Sequence, residues 1–242
     1  MSGTRDWGKC GKFPAFVEIC PFIIKILLEF LPVKPHNNGP MNHRPEDLVT
    51  LFNTLFRKSR GTELVRGDNE PEYLPVGVAG FYAQVIFAHG YFASALHEIS
   101  HWCIAGEQRR QLPDYGYWYC PDGRTPEQQQ AFERVEVKPQ ALEWLFSVAC
   151  GSRFHISVDN LDGGGAIDEA GFRRRVYQQA CKYLDEGLPV RAGQFLDALR
   201  EFYGTGPEHF RQWREQHACL AGQQPGAAHS LTTVSEAYDA IS

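Results

Sequence analysis

Residues 97–101 read His-Glu-Ile-Ser-His, an H-E-x-x-H pattern in a stretch with helical character. Positions i and i+4 of a helix lie on one face, so His97 and His101 can reach one metal ion while Glu98 points to the adjacent side. The preceding residues, FAHGYFASAL, are small and apolar, which favours a buried helix. Because buried imidazoles need polar partners, the pattern predicts a metal site rather than two surface histidines.

A third ligand is expected downstream, because two histidines leave a metal site incomplete. The segment AFERVEVKPQALEWLF contains Glu133, Glu136 and Glu143. Glu136, Gln140 and Glu143 are spaced i, i+4 and i+7, and they form a polar stripe on a helix whose other face is apolar. We favour Glu136 as the third ligand, with Glu133 as the second choice. The plain alternative is that this stripe is simply solvated.

Two histidines and one carboxylate are compatible with two kinds of catalysis. A Zn²⁺ ion with an open coordination position, and Glu98 as general base, is typical of a hydrolase. The same three ligands with several open positions form the facial triad of non-haem Fe(II) oxygenases. A third alternative, a non-catalytic protein with structural zinc, requires a fourth ligand from His89 or a cysteine. The ligand types alone do not choose among them.

Further candidates surround these ligands. His89 lies in a turn after a predicted strand, where a purely structural histidine is equally expected. Four aromatic residues between positions 115 and 119 can line a pocket for an aliphatic cation through cation–π contacts, or cap the core. We expect five residues to contact the ligands or to line a substrate pocket: His89, Glu133, Gln140, Tyr117 and Tyr119.

The elements that must position these residues follow from hydrophobic spacing. Apolar residues recur at helical spacing over 48–56, after Pro45 and two acidic residues that favour a first turn. Residues 62–88 contain short apolar runs between Gly, Pro and Asp-Asn, which predict two or three strands. Further helices are predicted over about 92–105, 126–149, 167–185 and 190–203, and in a last segment ending near His217. Pro139 is expected to kink or divide the second of these.

The predicted fold class is α+β, a mostly helical single domain with a small sheet and a zincin-like metal-binding helix. The 242 residues suit one compact domain with appendages. The net charge of −5 provides no global basic field for nucleic acid or an anionic membrane. The seven cysteines are odd in number and form no C-x-x-C pair, which argues against a disulfide framework and a cysteine-only zinc site. A reducing cytoplasm fits this pattern best.

The two ends of the chain differ from the middle. Residues 13–33 are apolar but contain Glu18, Lys25 and Glu29, which argues against a membrane span or a signal peptide. Translation starting at Met41 is an alternative to an extended N-terminus. We therefore expect residues 1–40 to be an extension without assigned function, residues 41–218 to be the metal-dependent domain and residues 219–242 to be a disordered tail.

Four runs of sequence together resemble the elongation factor P hydroxylase family over roughly residues 41–205: GDNEPEYLP, VIFAHGYFASALHEISHWCIAG, DYGYWYCPDGR and FERVEVKPQALEWLF. The resemblance implies a metal-dependent hydroxylation of a lysine of translation elongation factor P, after a β-lysyl group has extended that lysine. It places metal ligands at His97, His101 and Glu136, and it gives Glu98 an acid–base or hydrogen-bonding role.

The resemblance also sets expectations for cofactor and partners. Fe(II) is the expected metal, with Zn²⁺ as the alternative. The implied partner is β-lysylated elongation factor P in the cytoplasm, with neither nucleic acid nor membrane. Because this target is a folded protein, a docking surface outside the pocket is also required. The alternative function is a small zinc metallopeptidase that uses the H-E-x-x-H helix.

Overall fold

The computed structural model describes residues 42–116, 123–158 and 168–222. Its helices and strands follow one another as α1 (Pro45–Arg60), β1 (Thr62–Arg66), β2 (Glu72–Leu74), β3 (Ala83–Phe87), α2 (Phe92–Ile104), α3 (Pro126–Cys150), α4 (Glu169–Glu186), α5 (Val190–Tyr203) and α6 (Pro207–Gln216). Short 3-10 turns occupy Ala88–Gly90, Arg109–Gln111, Pro113–Gly116 and Ala218–Leu220. This mostly helical architecture with one small sheet confirms the predicted α+β class.

The three-stranded sheet has the order β1-β3-β2. β1 runs parallel to β3, with Thr62 opposite Ala83, and β2 runs antiparallel to β3, with Tyr73 opposite Val85. Alternate residues of β1 and β3 are buried, because successive side chains of a strand point to opposite faces. Residues 62–88 thus form three strands, at the upper end of the predicted number.

An aromatic cluster joins α1, α2 and α5. Trp102 of α2 contacts Phe52 and Phe56 of α1, with ring centroids 4.9 and 4.8 Å apart. Phe195 of α5 lies 6.1 Å from Phe52, and all four side chains are buried. Burying an aromatic side chain of this size stabilises a fold by about 2 kcal/mol. The cluster therefore holds the helix that carries the H-E-x-x-H pattern against two other helices.

α3 is one continuous helix of 25 residues, although it contains Pro139. It begins with a capping box in which Thr125 and Gln128 each accept a hydrogen bond from the backbone N–H of the other. Proline removes one helical hydrogen bond, but α3 packs against α2, α4, α5 and α6, with buried residues on both sides of Pro139. The predicted alternative, in which Pro139 divides the segment into two helices, is therefore wrong.

Several expectations concern residues outside the described ranges. They include the extension over residues 1–40, residues 223–242 of the tail, and the pocket candidates Tyr117 and Tyr119. Gly187 and Gly204 directly follow the last residues of α4 and α5 as C-caps. None of the helices in the described part of the chain combines the length and the apolar character that a membrane crossing requires.

Asn53 connects α1 to the edge strand β1, and its replacement tests this connection. Its Oδ1 accepts the N–H of Leu64 at 2.7 Å, and its Nδ2 donates to the carbonyl of Leu64 at 3.2 Å. Because Leu64 is buried, Asn53→Ala should leave two backbone groups unsatisfied and lower the free energy of unfolding by about 2 kcal/mol. Urea denaturation measures this change.

Thr50→Ala is the matched control, because Thr50 is an exposed polar residue of the same helix. It should change the free energy of unfolding by no more than about 0.5 kcal/mol. Equal effects of the two substitutions would contradict the role given to Asn53.

Candidate metal centre

Three side chains from two helices converge between α2 and α3. His97 and His101 lie on one face of α2, and Glu136 projects from α3. The two histidine Nε2 atoms are 3.1 Å apart, and the carboxylate oxygens of Glu136 lie 3.2 Å from Nε2 of His101 and 3.5 Å from Nε2 of His97. Across residues 42–116, 123–158 and 168–222, this is the only group of His, Cys, Asp and Glu side chains close enough to share one ion.

The spacing of these donor atoms fits one divalent metal ion. Ligand atoms about 2.1 Å from an ion, at angles of about 90–109°, lie roughly 3.0–3.4 Å from one another. The separations of 3.1 and 3.2 Å fall within this range, and the 3.5 Å separation, from His97 to the other carboxylate oxygen of Glu136, lies just above it. Imidazole nitrogen and carboxylate oxygen suit both Fe(II) and Zn²⁺, so the donor set fits a metal without choosing between these two.

A second carboxylate fixes the orientation of His97. Its Nδ1 lies 2.8 Å from Oε2 of Glu143, so Nδ1–H donates to this carboxylate and Nε2 faces the other two ligands. Burial acts to lower the pKa of His97, but the hydrogen bond and charge of Glu143, together with the charge of Glu136, raise it to about 10. Metal-binding histidines commonly donate their second N–H to a carboxylate in this way, which fixes the ring and raises its basicity.

Glu136 is kept ionised although only 2% of it is exposed. Burial acts to raise the pKa of this carboxyl, but the charge and hydrogen bond of His101, with the charge of His97, lower it to about 2. Gln140 donates to Oε2 of Glu136 at 3.4 Å and to the carbonyl of Ser157 at 2.8 Å, and it accepts the N–H of Ser157 at 3.1 Å. The centre therefore offers a negative charge, held in place, to a cation.

Arg191 of α5 holds the C-terminal end of α2. Its Nη2 donates to the backbone carbonyls of Trp102, Cys103 and Ala105 at 2.8, 3.1 and 2.6 Å. The guanidinium also lies 4.7 Å from the centre of the Trp102 ring. The last carbonyls of a helix lack partners within the helix, and a cation beside them is favourable. Arg191 thus fixes the turn of α2 that carries His101.

Glu98 and Tyr115 lie beside the three ligands. Glu98 is partly exposed on α2; burial raises the pKa of its carboxyl, although the charges of the two histidines act to lower it. Tyr115 is 4% exposed, stacks on Tyr73 at 4.2 Å and lies 6.5 Å from the ring of His101. Its φ of 58° is in the left-handed region, which residues other than glycine seldom adopt. Tyr115 thus lies on the His101 side of the centre, with its ring packed in the core.

The remaining predicted residues lie in different places. His89 is exposed in the 3-10 turn before α2, apart from the three-residue group. Glu133 forms an ion pair with Arg175 of α4 at 2.5 Å and is also outside that group. Gln140 donates a hydrogen bond to Glu136, one of the three candidate ligands. Tyr117 and Tyr119 lie outside the described residues.

Two contacts at the centre were not predicted, those of Glu143 and Arg191. Glu143 belongs to the polar stripe with Glu136, and this spacing could have indicated that both carboxylates face the same histidines. Arg191 has no local signal, because its partners are backbone carbonyls 86–89 residues earlier in the chain. Only the packing of α5 against α2 brings them together.

Replacement of Glu143 should weaken metal binding. Glu143→Gln removes the charge that orients His97, so the dissociation constant for Fe(II) or Zn²⁺ should rise by about 10- to 100-fold. Competition with a chromophoric chelator measures this constant. Glu133→Gln is the matched control, because Glu133 is a carboxylate of the same helix with the same exposed fraction of 8% but pairs with Arg175. Equal losses in both variants would contradict the role of Glu143.

Metal binding should also release protons. Because the pKa of His97 in the metal-free protein is about 10, this side chain is protonated at neutral pH and the ion must displace that proton. Metal affinity should therefore increase with pH, by up to about tenfold per pH unit for each proton released, until the pH passes the pKa. Calorimetry in buffers of different ionisation enthalpy counts the protons. Binding without proton release at neutral pH would contradict this assignment.

Comparison with known proteins places the chain in a family. A family model described as Elongation factor P hydroxylase matches residues 51–213, a range that includes all three candidate ligands. A curated protein of Haemophilus influenzae, named Elongation factor P lysine hydroxylase, is 48% identical over 165 residues, which is 68% of this chain and 92% of that relative. The chain belongs to the elongation factor P hydroxylase family.

Proposed function

We propose that this protein is an elongation factor P lysine hydroxylase whose metal ion is held by His97, His101 and Glu136. The observation that carries the proposal is the convergence of these three side chains within the range that the family model matches. The name of the curated relative supports the reaction and the protein substrate. Fe(II) is the metal we favour, because the proposed hydroxylation requires activation of dioxygen, and two histidines with one carboxylate are the facial triad of non-haem Fe(II) oxygenases. Zn²⁺ is the alternative.

The residues around the ion have separate tasks in this proposal. Bound Fe(II) supplies the oxygen-activating chemistry. Glu143 keeps Nε2 of His97 directed at the ion, and Gln140 holds the carboxylate of Glu136. The side chain of His97 is 26% exposed and that of Glu136 is 2% exposed, so the centre is more open towards His97. We assign the approach of substrate to this side, with Glu98 as the group that donates or accepts a proton there.

We further propose that the target lysine carries a β-lysyl extension. Such an arm has an aliphatic chain and two amino groups, so it needs aromatic walls and carboxylates at the entrance. The partly exposed carboxyl of Glu98 can meet an amino group of the arm, and the buried, stacked rings of Tyr73 and Tyr115 lie beside His101 on the inner side of the centre. Hydroxylation replaces one C–H bond of the arm by C–OH. Dioxygen provides this oxygen atom, and its second oxygen leaves as water with two protons and two electrons from an external reductant.

The alternatives of peptidase and structural zinc site have less support. The H-E-x-x-H helix fits a zincin-like peptidase, but the comparisons connect the chain with hydroxylases. A structural zinc site needs a fourth protein ligand. Within the described residues the candidate ligand group has three members, and His89 is an exposed residue outside this group, so the fourth ligand is missing there.

We assign the hydroxylase domain to residues 41–218, and the family match over 51–213 lies inside these bounds. We propose that it acts in the cytoplasm, where a translation factor would be available. The free thiols of Cys103, Cys150, Cys181 and Cys219 suit such a reducing compartment.

The proposed activity can be tested by mass spectrometry of the protein substrate. β-Lysylated elongation factor P, incubated with this protein, Fe(II), dioxygen and ascorbate as reductant, should gain the mass of one oxygen atom. Under ¹⁸O₂ the added atom should be labelled. His97→Ala should abolish the gain, because it removes a ligand.

His89→Asn is the control, since His89 lies outside the ligand group and Asn tolerates its positive φ of 48°. This variant should retain the activity. No oxygen gain with the wild-type protein, together with Zn²⁺-dependent cleavage of peptides, would contradict the proposed function and favour the peptidase.

A further inference from the structure

A cavity lies at the C-terminal end of α3, and none of the candidate metal ligands lines it. Its volume is about 380 Å³, and α3, α6 and the chain after α3 contribute to its lining. Trp144 and Trp213 are each 4% exposed, with ring centroids 5.4 Å apart, and Phe154 stacks on Trp144 at 4.8 Å. The cavity therefore has an aromatic floor, which we call the Trp144 cavity.

The lining of the Trp144 cavity is basic. Arg153, Arg173 and three histidines line it, and none of the lining residues in the described part of the chain is Asp or Glu. Arg173 places its guanidinium 5.5 Å from the centre of the Trp144 ring. Glu208, just outside the lining, lies 3.0 Å from His209. On a chain with a net charge of −5, the two arginine cations of this lining, with no carboxylate among the described lining residues, favour anionic groups.

The cavity shares structural elements with the metal centre. Trp144 follows Glu143 on α3, and Glu143 contacts His97. Residues 152–155 line one side of the cavity, and two residues further along the chain Gln140 is hydrogen-bonded to both backbone groups of Ser157. Gln140 also contacts the ligand Glu136. The residues that line the cavity are therefore close in sequence to Gln140 and Glu143, which contact the candidate metal ligands.

We infer that the Trp144 cavity is a docking site for an acidic surface segment of the protein substrate. The inference rests on the proposed function, since a hydroxylase of a folded protein needs contacts beyond the modified side chain. Arg153 and His155 are exposed at the rim, where they can meet carboxylates of a partner. Complementary charges of this kind speed association and select the partner.

The test is the affinity of the full-length enzyme for β-lysylated elongation factor P at low salt. Arg153→Glu/Arg173→Glu replaces attraction by repulsion, so the dissociation constant should rise at least about tenfold. Arg153→Gln/Arg173→Gln should give a smaller rise. At saturating substrate the turnover number should be unchanged while KM rises, because the cavity lies outside the metal ligands. High salt should reduce the difference between wild type and variant.

Lys58→Glu/Lys182→Glu is the matched control. It changes the net charge by the same amount at two exposed lysines of α1 and α4, outside the cavity. The control should bind elongation factor P within about twofold of the wild type. Thermal melting and Fe(II) affinity should be the same in all variants, which separates lost docking from misfolding.

The possible failures are distinguishable. If the wild-type enzyme neither binds nor modifies elongation factor P, the proposed function fails. If the wild type binds and Arg153→Glu/Arg173→Glu binds equally well, only the docking inference fails. Equal losses in the cavity variant and the lysine control would also overturn it, because the effect would then reflect total charge. A change in the oligomeric state of the enzyme alone would overturn it in favour of a second copy of the chain as the occupant.

Discussion

Burial of one carboxylate against two imidazoles is the interaction on which the rest of this structure depends. Removing an ionised carboxylate from water is strongly unfavourable unless opposite charge and hydrogen bonds compensate. His97 and His101 provide that compensation for Glu136, and a bound cation would provide more. The contact spans two helices, so α2 and α3 must keep one relative register. A shift of one residue on either helix would rotate the side chains about 100° away from each other.

The surrounding fold secures that register from several directions. Trp102 ties α2 to the aromatic cluster of α1 and α5, and Arg191 binds the end of α2. On the other helix, Gln140 connects Glu136 to the chain after α3. These supports come from parts of the chain that are distant in sequence. Metal ligands carried by braced helices are held more accurately than ligands on loops, and accurate placement is what metal binding requires.

The success and failure of sequence-based prediction have a common physical explanation. Helical spacing is local, so the positions of His97, His101 and Glu136 on shared faces could be inferred from the sequence. Choosing Glu136 over Glu133 needed more than spacing; in the structure Glu133 pairs with Arg175 of α4, which no local pattern reveals. Pro139 removes one backbone hydrogen bond of α3, but the packing of α3 against its neighbouring helices outweighs this loss, and the helix is continuous. The Trp144 cavity could not be predicted from local sequence patterns, because its lining residues come from separate segments of the chain.

The central claim is that one ion binds between α2 and α3 through His97, His101 and Glu136, and X-ray absorption spectroscopy of the Fe(II)-loaded protein tests it most directly. The account predicts one iron per chain, with two imidazole nitrogens and at least one oxygen at about 2.0–2.2 Å. It also predicts that this spectrum is lost in Glu136→Gln and His101→Ala. An unchanged spectrum in both variants, or a sulfur ligand at about 2.3 Å, would contradict it.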